Sequence, residues 1–514
     1  MRSVAIGLLA LTGCNQIFGL DSVTIADAQG QIDIITEPSL PTVQLTFMVA
    51  KTTNDSKPAA AIEFPPIGDL QSVRIGPQDG DLVATQYTAD GGVEVFPGLS
   101  GTPWRMEYTR TGQVPVEVQW SAVVGNGRFV DPIFGRLERT AIPANSGYSL
   151  TVTSAPAFNQ PHMLASGIWY DTALTGALPF QVAMDQVAPL SGPRGAPSGD
   201  DAFNDTLFLA NYNNLSGCKR ITGSAAYIEP PALTGTFVAP QPTPAFGTAN
   251  SHTPIFTYDA ASVGAASLRQ RLETALSGGD TRVTPNASSR AMLVLMPHAE
   301  MPVFTNRLAS VPPAFGLPWL ECAVGVVQNL PPVPTGTYGS PPGLAGFPHL
   351  AYASMSNTRT FGPDMESSIV GTAVAPSTNE IWAPDFNVPF AIHPIKLGDL
   401  FISMSGGQFL LGTGQFELTF ELENTPATLR ADYVEAVLYR IPATNTLVPE
   451  RVYVLSDPSR KKIVVDQSVF TSNTDYVFAI RVFRGRPMAA SNDFTDVSQP
   501  QSVSTVFTHI FHAI

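Results

Sequence analysis

Prolines limit this chain more than any other residue: 46 of them, together with 42 glycines, are spread through its 514 residues. A proline inside a helix removes a backbone donor and clashes with the preceding turn, at a cost of about 3 kcal/mol, whereas turns and strand ends accept it. Short strands joined by turns are the state such a chain favours. The expected fold class is therefore all-β: multi-domain antiparallel β-sandwiches with one or few short helices. Charged residues make up only 14% of the chain, where an average soluble domain has roughly 25%. The length suits about three or four domains with buried cores.

The net charge of −14 argues against nucleic acid as a partner, because a phosphate-binding surface needs clustered lysine and arginine. Arg460-Lys461-Lys462 is too short a run to reverse that. It reads as a solvated strand edge that discourages aggregation.

The chain starts MRSVAIGLLALTGCNQIFGLD. Arg2 supplies a positive charge, Val4 to Leu11 an apolar run, and Thr12-Gly13 two small residues before Cys14, which is the layout of an export signal. Eight helical residues reach about 12 Å, well short of the roughly 30 Å hydrocarbon core, which argues against a permanent membrane-spanning anchor. Leu11-Thr12-Gly13-Cys14 resembles the lipobox of bacterial lipoproteins. The resemblance implies a diacylglycerol on the Cys14 sulfur, cleavage before it and an N-acyl chain on the new terminus. Each buried methylene contributes about 0.8 kcal/mol, so two or three acyl chains hold a protein firmly on a membrane. Asn15 after the cysteine weakly favours the outer membrane by similarity to enteric bacteria. Residues 1–13 are then a signal peptide and 14–40 a lipidated tether.

Beyond the tether, Val43, Leu45, Phe47 and Val49 alternate as a strand would. From Tyr87 to Tyr108 the chain turns at Asp90-Gly91, alternates through Val93 and Val95, bends at Pro97-Gly98 and resumes with Trp104-Arg105-Met106-Glu107-Tyr108. That pattern resembles prealbumin-like sandwiches related to carboxypeptidase regulatory domains, over about 41–120. The resemblance implies a scaffold or binding module. Residues 121–400 form a β-rich middle region of one or two domains. One amphipathic helix is expected near Ala265 to Leu276, with Leu268, Leu272, Ala275 and Leu276 on one face.

The region 410–514 is the most regular. In FELTFELE, Phe416, Leu418, Phe420 and Leu422 share a face, and Asp432 to Ile441 follows as a second strand. Phe470 lies six positions before Tyr476, and FTSNTDYVFAIRVF resembles the start of the F strand in a fibronectin type III domain. The resemblance implies a tyrosine at the sheet corner whose hydroxyl bonds to nearby backbone. Phe420 stands where that family usually has tryptophan, and Ser472 where it has proline.

Catalytic templates such as GxSxG, a Walker loop, HExxH or a complete GxGxxG do not occur. Gly125-Asn126-Gly127 reads as a hairpin turn. His509 and His512 fall on opposite faces if their segment is a strand, so a shared metal is not expected. His298 and Glu300 read as exposed polar residues, because nothing local supplies a nucleophile. Asp200, Asp201, Asn204 and Asp205 form an oxygen-rich loop that is a calcium candidate or simply a soluble turn. Cys218 and Cys322 are the other two cysteines. Export lets them pair in a disulfide, the alternative being two separately buried thiols.

The function expected is that of a lipid-anchored envelope lipoprotein without catalysis, serving binding, adhesion or envelope assembly. Its partners would be the membrane, through the anchor, and an envelope protein or polysaccharide. No cofactor beyond the covalent lipid is expected. The alternative is an extracellular hydrolase in which Asp364, Glu366 or Asp385 converge with His349 or His393 from loops of the middle region.

Overall fold

In the run Tyr433–Ile441, Val434, Ala436 and Leu438 bury on one side, and Tyr433, Val437, Tyr439 and Ile441 on the other. A strand apolar on both faces needs cover on both, so it belongs in the interior of a layered β structure. The computed structural model describes backbone and side chains for residues 70–87, 103–120, 395–402, 407–422, 431–444, 446–485 and 502–514, with Val43, Leu45 and Ala489. For the strands elsewhere it describes the backbone. Among the described residues strands dominate and no helix reaches seven residues, so the fold is all-β. The helix expected near Ala265 to Leu276 lies outside the described residues.

The strands that build the sandwich and its extensions are, in chain order, β1 Thr42–Thr52, β2 Leu70–Pro77, β3 Trp104–Arg110, β4 Val116–Trp120, β5 Thr206–Leu215 and β6 Cys218–Ile228. The middle of the chain contributes β7 Ala287–Leu295, β8 Leu317–Val324, β9 His349–Arg359 and β10 Met365–Val374. The C-terminal part holds β11 Ala391–Leu397, β12 Gln415–Leu422, β13 Tyr433–Ile441, β14 Val448–Leu455, β15 Lys462–Asp466, β16 Thr474–Arg484, β17 Ser502–Phe507 and β18 Phe511–Ala513.

Strands β14, β13, β16 and β17 run antiparallel side by side and form the lower sheet of a β-sandwich. Strands β11, β12 and β15 form the upper sheet. Between them lie Leu418, Phe420, Ile463 and Val465 from above and Ala436, Leu438, Phe478 and Ile480 from below, all at most 2% exposed. Fully burying one such side chain contributes roughly 1.5–3 kcal/mol. Aromatic residues close one end: Phe511 stacks on Phe478 at 5.7 Å, and Phe470 meets Tyr476 edge-on at 5.1 Å. The Tyr476 hydroxyl accepts a hydrogen bond from the Thr471 backbone N–H at 2.8 Å, so the tyrosine fixes the turn that feeds β16.

The lower sheet continues past the sandwich in both directions. Beyond β17 it passes through β10, β9, β7, β8, β6 and β5, each pair antiparallel. Beyond β14 it takes in β4, and this pair is parallel: Val452 faces Val116 and Leu455 faces Gln119. Strands β3 and β2 then follow, antiparallel. Strands β2, β3 and β4 of segment 70–120 thus share one sheet with β13, β14, β16 and β17 of segment 410–514. On the side away from the sandwich core, Trp104 and Trp120 are opposed across β3 and β4 and stack at 5.0 Å. Tyr433 stacks on Phe483 in the same apolar cluster, which Val43 and Leu45 of β1 join.

Candidate functional site

The upper sheet ends before the lower one does. Among the described residues β15 is hydrogen-bonded within its sheet to β12 alone, while the lower sheet runs on beneath it through β4, β3 and β2. A bare strand edge leaves backbone N–H and C=O groups unpaired, and inside a protein that is costly. The alternation of β3 and β4 supplies the cover. Trp104, Met106, Val118 and Trp120 take one face, which leaves Arg105, Glu107, Glu117 and Gln119 on the face turned toward β15.

Gln119 behaves as a one-residue extra strand. Its Nε2 donates to the Val464 carbonyl at 2.6 Å, and its Oε1 accepts from the Val464 N–H at 2.9 Å. Arg105 is 1% exposed and grips Asp466 with both terminal nitrogens, at 2.9 and 3.0 Å. It also donates to the Gly80 carbonyl at 2.7 Å and to Glu117 at 3.3 Å. Gln415 of β12 donates to the same Gly80 and Asp466 oxygens. Arg451 of β14 pairs with Glu107 and lies 3.6 Å from Glu117, while Arg74 of β2 donates to Glu107 at 2.9 Å. At the rim, Arg460 donates to Gln78 and to the Trp120 carbonyl. The guanidiniums of Arg74, Arg105 and Arg451 thereby meet the carboxylates of Glu107, Glu117 and Asp466.

Burial pushes the Glu117 carboxyl up to about 7, against the pull of Arg105 and Arg451. Burial also works against the Arg105 charge, but the Asp466 hydrogen bonds and the Glu117 and Asp466 charges outweigh it and raise its pKa. Desolvation drives the Tyr453 hydroxyl up in the same way. A carboxyl near neutrality often marks a general acid, and such a group must reach its substrate. Glu117 is fully enclosed. The arrangement holds sheets together, and its charges serve attachment of segment 70–120 to the sandwich.

The candidates read from the sequence lie elsewhere. Cys14, the loop of Asp200, Asp201, Asn204 and Asp205, the pair His298 and Glu300, and Asp364 fall outside the described residues. Cys218 and Cys322 are directly opposed across β6 and β8. His349 opens β9, opposite Leu295. Glu366 lies on β10 opposite Thr358. Nine residues of strand, about 30 Å, separate His349 from the position facing Glu366. Asp385 starts a short strand paired with Ile255–Thr257, and His393 belongs to β11. His512 lies against Asp475, Nδ1 to Oδ1 at 2.7 Å, while the His509 N–H donates to the Ile402 carbonyl. Among the described residues no cluster of three His, Cys, Asp or Glu could hold a metal ion, and no helix is long and apolar enough to cross a membrane. Lys461 and Lys462 pair with Glu421 and Glu417 at the sandwich surface.

Sequence reading missed the Arg105, Glu117 and Gln119 cluster. Its one signal was polar residues in matching phase on two neighbouring strands, WRMEY and VEVQW, each with a tryptophan on its apolar face.

No family model and no curated protein sequence matches the chain. Two solved structures of Escherichia coli alpha-2-macroglobulin align with it. The trypsin-activated form does so at 10% identity and a TM-score of 0.15, over 89% of this chain and 28% of that one. The native form aligns at 9% identity and a TM-score of 0.14, over 88% and 27%.

Proposed function

We propose that this chain is a membrane-anchored cell-surface lipoprotein, held by lipid on Cys14, with a non-enzymatic role in binding, adhesion or envelope assembly. The observation that carries the reading is Leu11-Thr12-Gly13-Cys14 directly behind a charged and apolar leader. The sandwich fits that role as a presenting unit, since its buried charges are spent on internal attachment. The ligand class is an envelope protein or polysaccharide.

Mass spectrometry of the protein extracted from membranes tests the anchor. The expected N-terminal residue is Cys14 carrying a diacylglyceryl thioether and an N-acyl chain. An intact Met1 with no acyl mass overturns the reading. Binding is tested by adding purified protein that lacks residues 1–14 to cells, envelope fractions and immobilised glycans. Retention on at least one is expected, and retention on none removes the binding role.

A further inference from the structure

Cysteines separated by a long stretch of chain occupy one rung of the sheet. In the register of β6 and β8, Cys218 is the Cα partner of Cys322, followed by Lys219 with Glu321 and Arg220 with Leu320. Directly opposed residues on antiparallel strands have Cα atoms about 4.5–5.5 Å apart and share a face, within the roughly 4.4–6.8 Å that a disulfide spans. The neighbouring rung supports the same register independently, because Lys219 and Glu321 are opposite charges placed face to face. A slip by one residue would break both matches and send each side chain to the other face of the sheet. The same rung continues through Ala291 on β7 and Ala353 on β9, small residues beside the pair.

The rung also lies at a thin join. Only the three rungs from Cys218 to Arg220 connect β6 to β8, whereas β7 and β9 pair along the whole of Ala287–Leu295. A covalent link there would clasp the β5–β6 hairpin to the rest of the sheet. It would also close a long loop, the case in which a cross-link restricts the unfolded chain most.

We propose that Cys218 and Cys322 form a cross-strand disulfide in the mature protein. The oxidant is a protein disulfide or glutathione disulfide of the export compartment. One cysteine thiolate attacks the oxidant's disulfide and displaces a thiolate. The second cysteine thiolate then attacks the mixed disulfide, so two protein thiols lose two electrons and two protons while the oxidant is reduced to two thiols. In the cell this rests on the exported lipoprotein reading, since a reducing cytosol would keep both thiols free.

The full chain carrying C14S, which leaves two thiols, is equilibrated in graded mixtures of reduced and oxidised glutathione, alkylated and mapped by peptide mass spectrometry. Retained strand content in circular dichroism confirms that it stays folded. The expected result is one crosslinked peptide pair containing Cys218 and Cys322, with little glutathione on either. Glutathione or alkyl groups on both cysteines of the folded chain across the whole series overturn the proposal. The C322S variant of the same protein should then carry glutathione on Cys218; no crosslinked pair in the first sample together with no reaction here means that burial, rather than pairing, keeps the thiol silent, and overturns the bridge. A second sample is the wild-type chain isolated from cells and alkylated at once. A crosslink in both samples upholds the proposal. A crosslink in glutathione with free thiols in the cell-derived chain upholds the pairing geometry but overturns the disulfide in the mature protein, and with it the oxidising location on which it rests.

Discussion

The Gln119 side chain pairs with the backbone of Val464 in both directions, donating to its carbonyl and accepting from its N–H across 345 positions of sequence. Leucine at 119 keeps the bulk and loses both of these bonds, together with the one that Nε2 donates to Glu117 at 2.8 Å, which leaves two buried backbone groups of Val464 without partners. Each such loss costs about 1–3 kcal/mol. Q119L is expected to lower stability by about 2–4 kcal/mol in urea denaturation. Q119E sets a second carboxyl against Glu117 and the Val464 carbonyl in a fully buried site and should cost at least as much. Equal stability of all three would show that the pairing contributes nothing.

Arg105 and Asp466 form a bidentate, charge-assisted pair with the arginine fully buried. A double-mutant cycle with R105M and D466N measures their coupling. About 1.5–3 kcal/mol is expected, the range for hydrogen bonds to charged groups. D466N alone should be costly, because it leaves the buried guanidinium without its main partner.

Glu117 gives the protein a pH dependence of definite sign. Its carboxyl is raised from 4.5 to about 7 by burial. Between those values the folded state holds a proton that the unfolded state has released, so stability falls as pH rises through this window. The contribution is fully present below the unfolded pKa and lost as pH passes the folded one. A shift of this size corresponds to roughly 3 kcal/mol at most. E117Q removes the titration, and its urea midpoint should vary less between pH 4.5 and 7 than that of the wild type. Parallel pH profiles for the two proteins would rule the effect out.

Tyr476 anchors the turn before β16 through one hydrogen bond to Thr471. Y476F keeps the ring against Phe470 and deletes the bond. A loss of about 1 kcal/mol is expected. Y476A also removes the ring from a fully buried site and should cost about 3–5 kcal/mol. The two losses, measured by the same denaturation experiment, separate the hydroxyl from the packing.

The parts of this fold that could be read from sequence are those where one strand carries its own instruction. Leu418 and Phe420 alternate with Thr419 and Glu421, and they enter the sandwich core with Phe416 and Leu422 packed beside them. Tyr476 could be read because its partner Thr471 is five residues away. Arg105 and Glu117 could not. In an alternating strand a charged residue normally marks the face turned to water, and here that face is covered by β15 from 361 positions along the chain. The parallel contact of β4 with β14 leaves no local trace, because Val-Glu-Val-Gln and Val-Tyr-Val-Leu are each complete strands without the other.

That contact orders events during synthesis. The edge of β4 leaves the ribosome long before β14 exists, so Val116–Trp120 spends most of translation with its outer ladder unsatisfied. Contacts of such long range close slowly, and the waiting edge invites the wrong neighbour. A chain cut short before Val448 should therefore be prone to stick to its own copies, while every residue of the early strands is intact.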